Sequence, residues 1–197
     1  MTKSGRNEVS HYPEITSFIE AQLKSNFAAK GIQEIEIFWR IGELTSNIRS
    51  LVVEYPEKCA CLERYSKTTP PLNLDVFGVI TDGTRFEIII LEVKLTKGAG
   101  LSEWSQLLGY CVVSDAKYGL LINIDAGASM RLTGILSAEV DVSKVVRQKS
   151  NGLLIEHQLG FVEWNTITRN FEYSNLGQLW SVSAISEALA ARFSSDQ

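Results

Sequence analysis

Long apolar runs are missing from this chain: no stretch approaches the ~18–20 residues that span a bilayer. The opening stretch MTKSGRNEVSHYPE also lacks the apolar segment of a secretory leader, so the expected location is cytoplasmic, with no membrane partner. Histidine is scarce; the two that occur, His11 and His157, are isolated, which leaves a histidine-based hydrolase without support. The three cysteines, Cys59, Cys61 and Cys111, cannot all pair, and Cys59-Ala60-Cys61 lacks the spacing of a zinc knuckle. They read as reduced structural thiols. There is no internal repeat, no low-complexity tract and no Gly-rich phosphate loop before a helix, which disfavours an α/β nucleotide-binding domain.

What is present is a globular composition, 45% hydrophobic and 21% charged over 197 residues, enough for one domain with a substantial core. The net charge of −4 argues against an indiscriminate nucleic-acid binder, but not against one whose cations line a cleft.

The most informative stretch is LNLDVFGVITDGTRFEIIILEVKL, from Leu72 to Leu95. Two apolar, β-branched runs flank Asp82-Gly83, the signature of a hairpin with a two-residue turn. In that register Thr81 pairs with Thr84 and Asp75 lies opposite Ile90. Side chains alternate along a strand, so Asp75, Ile90, Glu92 and Lys94 share one face. Asp75 and Glu92 then become diagonal neighbours, roughly 7–8 Å apart by backbone spacing. Two carboxylates on an apolar sheet repel each other and lose hydration, which a cation relieves. Lys94 offsets one charge, and hard oxygen ligands of this kind suit Mg²⁺ or Mn²⁺. An ordinary salt bridge on a solvated hairpin tip accounts for the same residues.

Asp75 followed by Glu92-Val93-Lys94 resembles the PD-(D/E)xK phosphodiesterase superfamily, to which most restriction endonucleases and several repair nucleases belong. The other elements fit that frame. Pro13 to Lys30 reads as a helix with an apolar stripe of Ile15, Phe18, Ile19, Leu23 and Phe27, stopped by Gly31. Glu20 lies at the edge of that stripe, where it either leans towards the sheet or faces solvent. Gln33 to Ile41 alternates as a first strand. Leu44, Ile48, Leu51 and Val52 fit a helix ended by Pro56. The segment 57–69, with Lys58, Arg64, Tyr65 and Lys67, reads as a surface excursion, although its cations and aromatic ring would also suit substrate contacts. After a flexible connection, Thr96 to Gly100, Leu101 to Ser114 reads as a helix capped by Ser102, with Gln106 and Tyr110 neighbours on its surface. Lys117 to Ile124 reads as a buried strand.

The expected fold is therefore α/β: an αβββαβ core over about 13–124, its mixed central sheet flanked by helices as in restriction endonucleases. Residues 125–197 form an extension in the same single domain. Within it, Lys144, Arg147 and Lys149 form a basic patch that is either a solvated face or a DNA-backbone contact. A hairpin over Phe161 to Tyr173 and a helix over Ser181 to Phe193 follow.

The resemblance implies a DNA endonuclease using Mg²⁺, with Mn²⁺ as a substitute. Its metal ligands would be Asp75, Glu92, the backbone carbonyl of Val93 and, around a second ion, Glu20. Lys94 would orient or deprotonate the attacking water, and Gln106, within a QxxxY pair, would hold water or phosphate. A homodimeric type II restriction endonuclease acting on double-stranded DNA is the leading expectation. The alternatives are a repair or junction-resolving nuclease and a non-catalytic scaffold of the same fold.

Overall fold

The computed structural model describes residues 7–194. One mixed sheet of seven strands runs in the order β1-β2-β3-β4-β6-β5, with β7 also paired to β6. The strands are β1 (Glu36–Glu43), β2 (Asn73–Thr81), β3 (Phe86–Lys94), β4 (Tyr118–Ile124), β5 (Lys144–Gln148), β6 (Leu154–Asn165) and β7 (Asn170–Gly177). β1, β2 and β3 are antiparallel, whereas β3, β4 and β6 are parallel. The parallel pairs need crossovers, and α5 (Leu101–Ser114) and α6 (Met130–Ala138) lie in those connections.

Helices cover both faces. On one, α1 (Tyr12–Ala29) and α7 (Val182–Phe193) bury Ile15, Ile19, Leu23, Ile185 and Leu189 against Val76, Ile89, Leu91 and Ile122. On the other, α2 (Leu44–Glu54), α5 and α6 bury Leu44, Ile48, Leu107 and Leu132 against Phe77, Val79, Ile90 and Leu121. Each fully buried side chain of this size contributes about 1.5–3 kcal/mol. Strand parity decides which residues serve which core: Phe77, Val79, Ile88 and Ile90 lie in the α5-side core, so Glu92 and Lys94 continue that face of β3. The extra residue of β2 between Leu74 and Phe77, both in the α5-side core, interrupts the alternation at Asp75.

The order α1, β1, β2, β3, α5, β4 matches the sequence reading. Between β1 and β2 stand α2 and two short helices, α3 (Pro56–Cys59) and α4 (Glu63–Thr68). Among the described residues no helix is long and apolar enough to cross a membrane. Four local expectations need correction. β1 starts at Glu36 rather than Gln33, because Glu34 has φ 65° and cannot extend the strand. The cap of α5 is Gly100, not Ser102: the Glu103 carboxylate reaches back and accepts the Gly100 N–H at 2.8 Å. The basic segment with Lys144 and Arg147 is an edge strand, β5, and its hairpin partner begins at Leu154. Thr96 to Gly100 is tied down, since Ala99 donates to Gly127 and the buried Asn123 holds Thr96 through both its amide atoms.

The hairpin register also differs. Thr81 pairs with Phe86 and Phe77 with Ile90, so the turn spans Asp82 to Arg85. Asp82 is the reason. Its Oδ1 accepts the N–H groups of Thr84 and Arg85 and the Thr84 hydroxyl, and its Oδ2 pairs with Arg85. An aspartate-closed turn of this kind needs two residues beyond a minimal hairpin. The slip is by two positions, so the paired side chains keep their faces, and continued one step past the Val76–Leu91 pair the register sets Asp75 across from Glu92 rather than Ile90.

Candidate active site

The β2–β3 ladder ends at the Val76–Leu91 pair, and beside it the β1–β2 register shifts, with β2 carrying one extra residue between Leu74 and Phe77. Just past that point the side chain of Asp75 takes over a ladder position: its Oδ2 accepts the backbone N–H of Val93 at 3.1 Å. In an extended strand a residue's carbonyl leaves on the same edge as its N–H, so the Val93 carbonyl points to the Asp75 side. Lys94 Nζ lies 3.1 Å from the same Asp75 oxygen and 2.6 Å from Glu92 Oε1. Asp75, Glu92 and Lys94 therefore meet. The cluster stands where the parallel strands β3 and β4 reach their carboxyl ends, the edge at which open α/β sheets bind ligands.

Burial sets the electrostatics. Glu92 is 0% exposed, on a central strand and beside Leu121 of β4, while the side chains of Asp75 and Lys94 keep 24% and 18% of their surface. Loss of solvent pushes the Glu92 carboxyl up from 4.5 to about 7, against the pull of Lys94 and with the help of the Asp75 charge. Burial works against the Lys94 ammonium too, but the two carboxylates outweigh it and hold this lysine above its ordinary value. Neither Glu92 oxygen has a hydrogen bond of ordinary geometry: Oε1 has the Lys94 ion pair alone, and Oε2 has no partner among the described residues. A buried carboxylate oxygen without a donor costs several kcal/mol, which a hard cation would relieve.

Asp75, Glu92 and the Val93 carbonyl are hard oxygen donors and fit a divalent cation such as Mg²⁺ in type. Among the described residues, however, no three His, Cys, Asp or Glu side chains gather as a ready-made metal cage. Two carboxylates and a carbonyl are what this edge supplies.

The remaining expected residues lie apart from the cluster. Glu20 Oε2 accepts the Trp39 indole N–H at 3.1 Å and Oε1 pairs with Lys24 at 2.7 Å, which commits both oxygens. Gln106 is exposed on α5 and donates to the Tyr110 hydroxyl at 2.9 Å, so the two side chains pair with each other. Tyr65 packs edge-to-face on Phe86 and donates to the Ser114 carbonyl, a structural use of its ring.

Two residues outside the sequence reading are coupled to the cluster through its charges. Tyr12, buried at the first position of α1, has its hydroxyl raised by burial and by the charges of Asp75, Glu8 and Glu92. Glu8, in the short 3-10 turn before α1, also acts on Glu92. The spacing Tyr12, Ile15, Ile19, Leu23 extends the helical stripe by one step and could have flagged Tyr12. Nothing in the local pattern flags Glu8.

Comparison with protein-family models, with curated proteins and with solved structures gives no match to this chain.

Proposed function

We propose that this protein is a Mg²⁺-dependent DNA endonuclease of the PD-(D/E)xK type, within which a type II restriction endonuclease remains the leading reading. The single observation that carries it is the convergence of Asp75, Glu92 and Lys94 at the carboxyl end of β3, with the buried Glu92 Oε2 lacking a partner among the described residues. The substrate class comes from the resemblance.

In this reading Asp75, Glu92 and the Val93 carbonyl hold the cation, which when bound would acidify water and offset charge developing on the phosphodiester. Asp75 is kept in place by the Val93 N–H. Glu92 is positioned by the sheet itself, and its buried surroundings strengthen its hold on a positive charge. Lys94, whose ammonium is fixed by two carboxylates, presents a positive charge to the reacting phosphate and orients the attacking water. Glu8, rather than Glu20, is the amino-terminal acid whose charge reaches this edge.

Lys94 also supports a second reading. Its ammonium already sits between the two carboxylates, so the trio is stable as a salt-bridged structural edge in a non-catalytic scaffold. Digestion of a long natural DNA with Mg²⁺, followed by end mapping, separates the cases. Discrete fragments with 5′-phosphate ends support restriction. A smear means a nonspecific nuclease, and intact DNA with both Mg²⁺ and Mn²⁺ leaves the scaffold.

A further inference from the structure

The opposite end of the sheet carries a second concentration of charge. Glu87, near the start of β3, is only 7% exposed, and its Oε1 receives both Lys117 Nζ at 2.6 Å and Arg192 Nε at 2.8 Å. Close by, Asp115 ends α5 in a left-handed conformation with φ 61°. Its Oδ1 takes Arg147 from β5 and its Oδ2 takes Lys149 from the β5–β6 turn. Each acid thus faces two cations, a local positive excess in a chain whose net charge is −4.

Lys117, Lys149 and Arg192 line a cavity of about 430 Å³ together with Glu87 and Asp115. Apolar side chains line it too. Tyr65 and Phe86 meet edge-to-face with centroids 5.4 Å apart, and Leu154 contributes although 62% exposed. The hollow continues into a neighbouring one of about 270 Å³ that shares Phe86, Glu87, Lys117 and Arg192. Volumes of ~300–1,000 Å³ are typical of small-molecule sites, which combine an apolar lining with a few convergent polar groups. Two cations sharing one carboxylate repel each other, and their remaining N–H donors are suited to an anion.

We propose that this cavity binds a small aromatic anion, a planar ring bearing a phosphate or a carboxylate. The anionic group sits among Lys117, Lys149 and Arg192, and the ring lies against Tyr65, Phe86 and Leu154. The site is independent of the nuclease reading: Glu87 and Glu92 are roughly 16 Å apart along β3 by strand rise.

The test uses 8-anilinonaphthalene-1-sulfonate, whose fluorescence rises in an apolar site, titrated into the full chain. Saturable binding at one probe per chain is expected. Displacement by adenosine 5′-monophosphate identifies a phosphate ligand, and displacement by 2-naphthoate a carboxylate. Either should outcompete inorganic phosphate at least about tenfold, because the ring adds apolar burial. The double variant Lys117→Gln/Lys149→Gln leaves an arginine on each carboxylate, so folding should survive, while probe affinity falls at least about tenfold. Leu154→Ala, at an exposed position, should weaken the probe by about threefold or more. Asp75→Asn should leave probe binding unchanged. No saturable binding, unchanged affinity in the double variant, or displacement by inorganic phosphate as effective as by the aromatic anions would overturn the proposal.

Discussion

Replacing Glu92 with glutamine should change how stability responds to pH, and the sign follows from the site. The folded carboxyl holds its proton up to about 7, whereas the unfolded chain releases it near 4.5. Between those values the folded state binds more protons. Stability from this residue is therefore fully present below 4.5, falls as pH rises through the window, and stays low above 7. At 1.36 kcal/mol per unit, a shift of this size corresponds to about 3 kcal/mol. His157 works in the opposite sense: burial lowers its pKa, so the unfolded chain takes up the proton and stability rises with pH near 6.5. That contribution is common to both proteins and cancels in their difference. Urea unfolding of wild type and Glu92→Gln at several pH values from about 4.5 to 8, with the slopes against urea compared, reads the effect. The stability difference between the two should move by about 3 kcal/mol in favour of the variant as pH rises. Curves that stay parallel across the window would refute a buried, cation-seeking Glu92.

Lys94→Ala should abolish cleavage and also cost about 3–5 kcal/mol near pH 8, because two carboxylates lose their shared cation. Thermal melts should show that cost shrinking towards pH 5, where Glu92 keeps its proton; a pH-independent loss would contradict the pairing. Glu20→Gln should leave the Mg²⁺ concentration needed for cleavage unchanged, since Glu20 is committed to Trp39 and Lys24, whereas Glu8→Gln should raise it; the reverse order in a Mg²⁺ titration of activity would return Glu20 to the site. Gly160→Ala should prevent stable folding, as its new methyl would lie 2.0 Å from the Leu179 carbonyl oxygen; a folded variant with an unchanged melting temperature would contradict that close approach.

Much of the core was legible in the sequence because it depends on local periodicity. The stripe of α1, the bounds of α5 and the apolar run of β4 all appear in the fold within a residue or two. The shared face of Glu92 and Lys94 was legible for a stronger reason: alternation along β3 survives a two-residue slip even though the turn does not, whereas the extra residue in β2 beside Asp75 has no mark in the sequence. The turn itself depends on which groups the Asp82 carboxylate accepts, and a dipeptide signal does not specify that. α6 was missed because only Leu132 and Leu136 of its nine residues are buried, too few to mark a periodic stripe. Glu20 sits at the edge of a helix whose rotation is set by packing with α7 and the sheet, and that rotation turned it to Trp39. The coupling of Tyr12 to Asp75 and Glu92 depends on how α1 packs on the sheet, a tertiary relation with no local sequence mark. The cavity at the far end is similar, assembled from α4, α7, the α5–β4 connection, the β5–β6 turn and the starts of β3 and β6.

The most direct measurement is conversion of supercoiled plasmid by wild type and Asp75→Asn at matched concentrations, in Mg²⁺ and in Mn²⁺, with circular dichroism showing that both are folded. Nicked or linear DNA with wild type, and supercoiled DNA left intact by the variant, is the expected result. Intact plasmid with wild type in both ions, or equal cleavage by the two proteins, would contradict the assignment of Asp75 and its neighbours as a metal-dependent nuclease site.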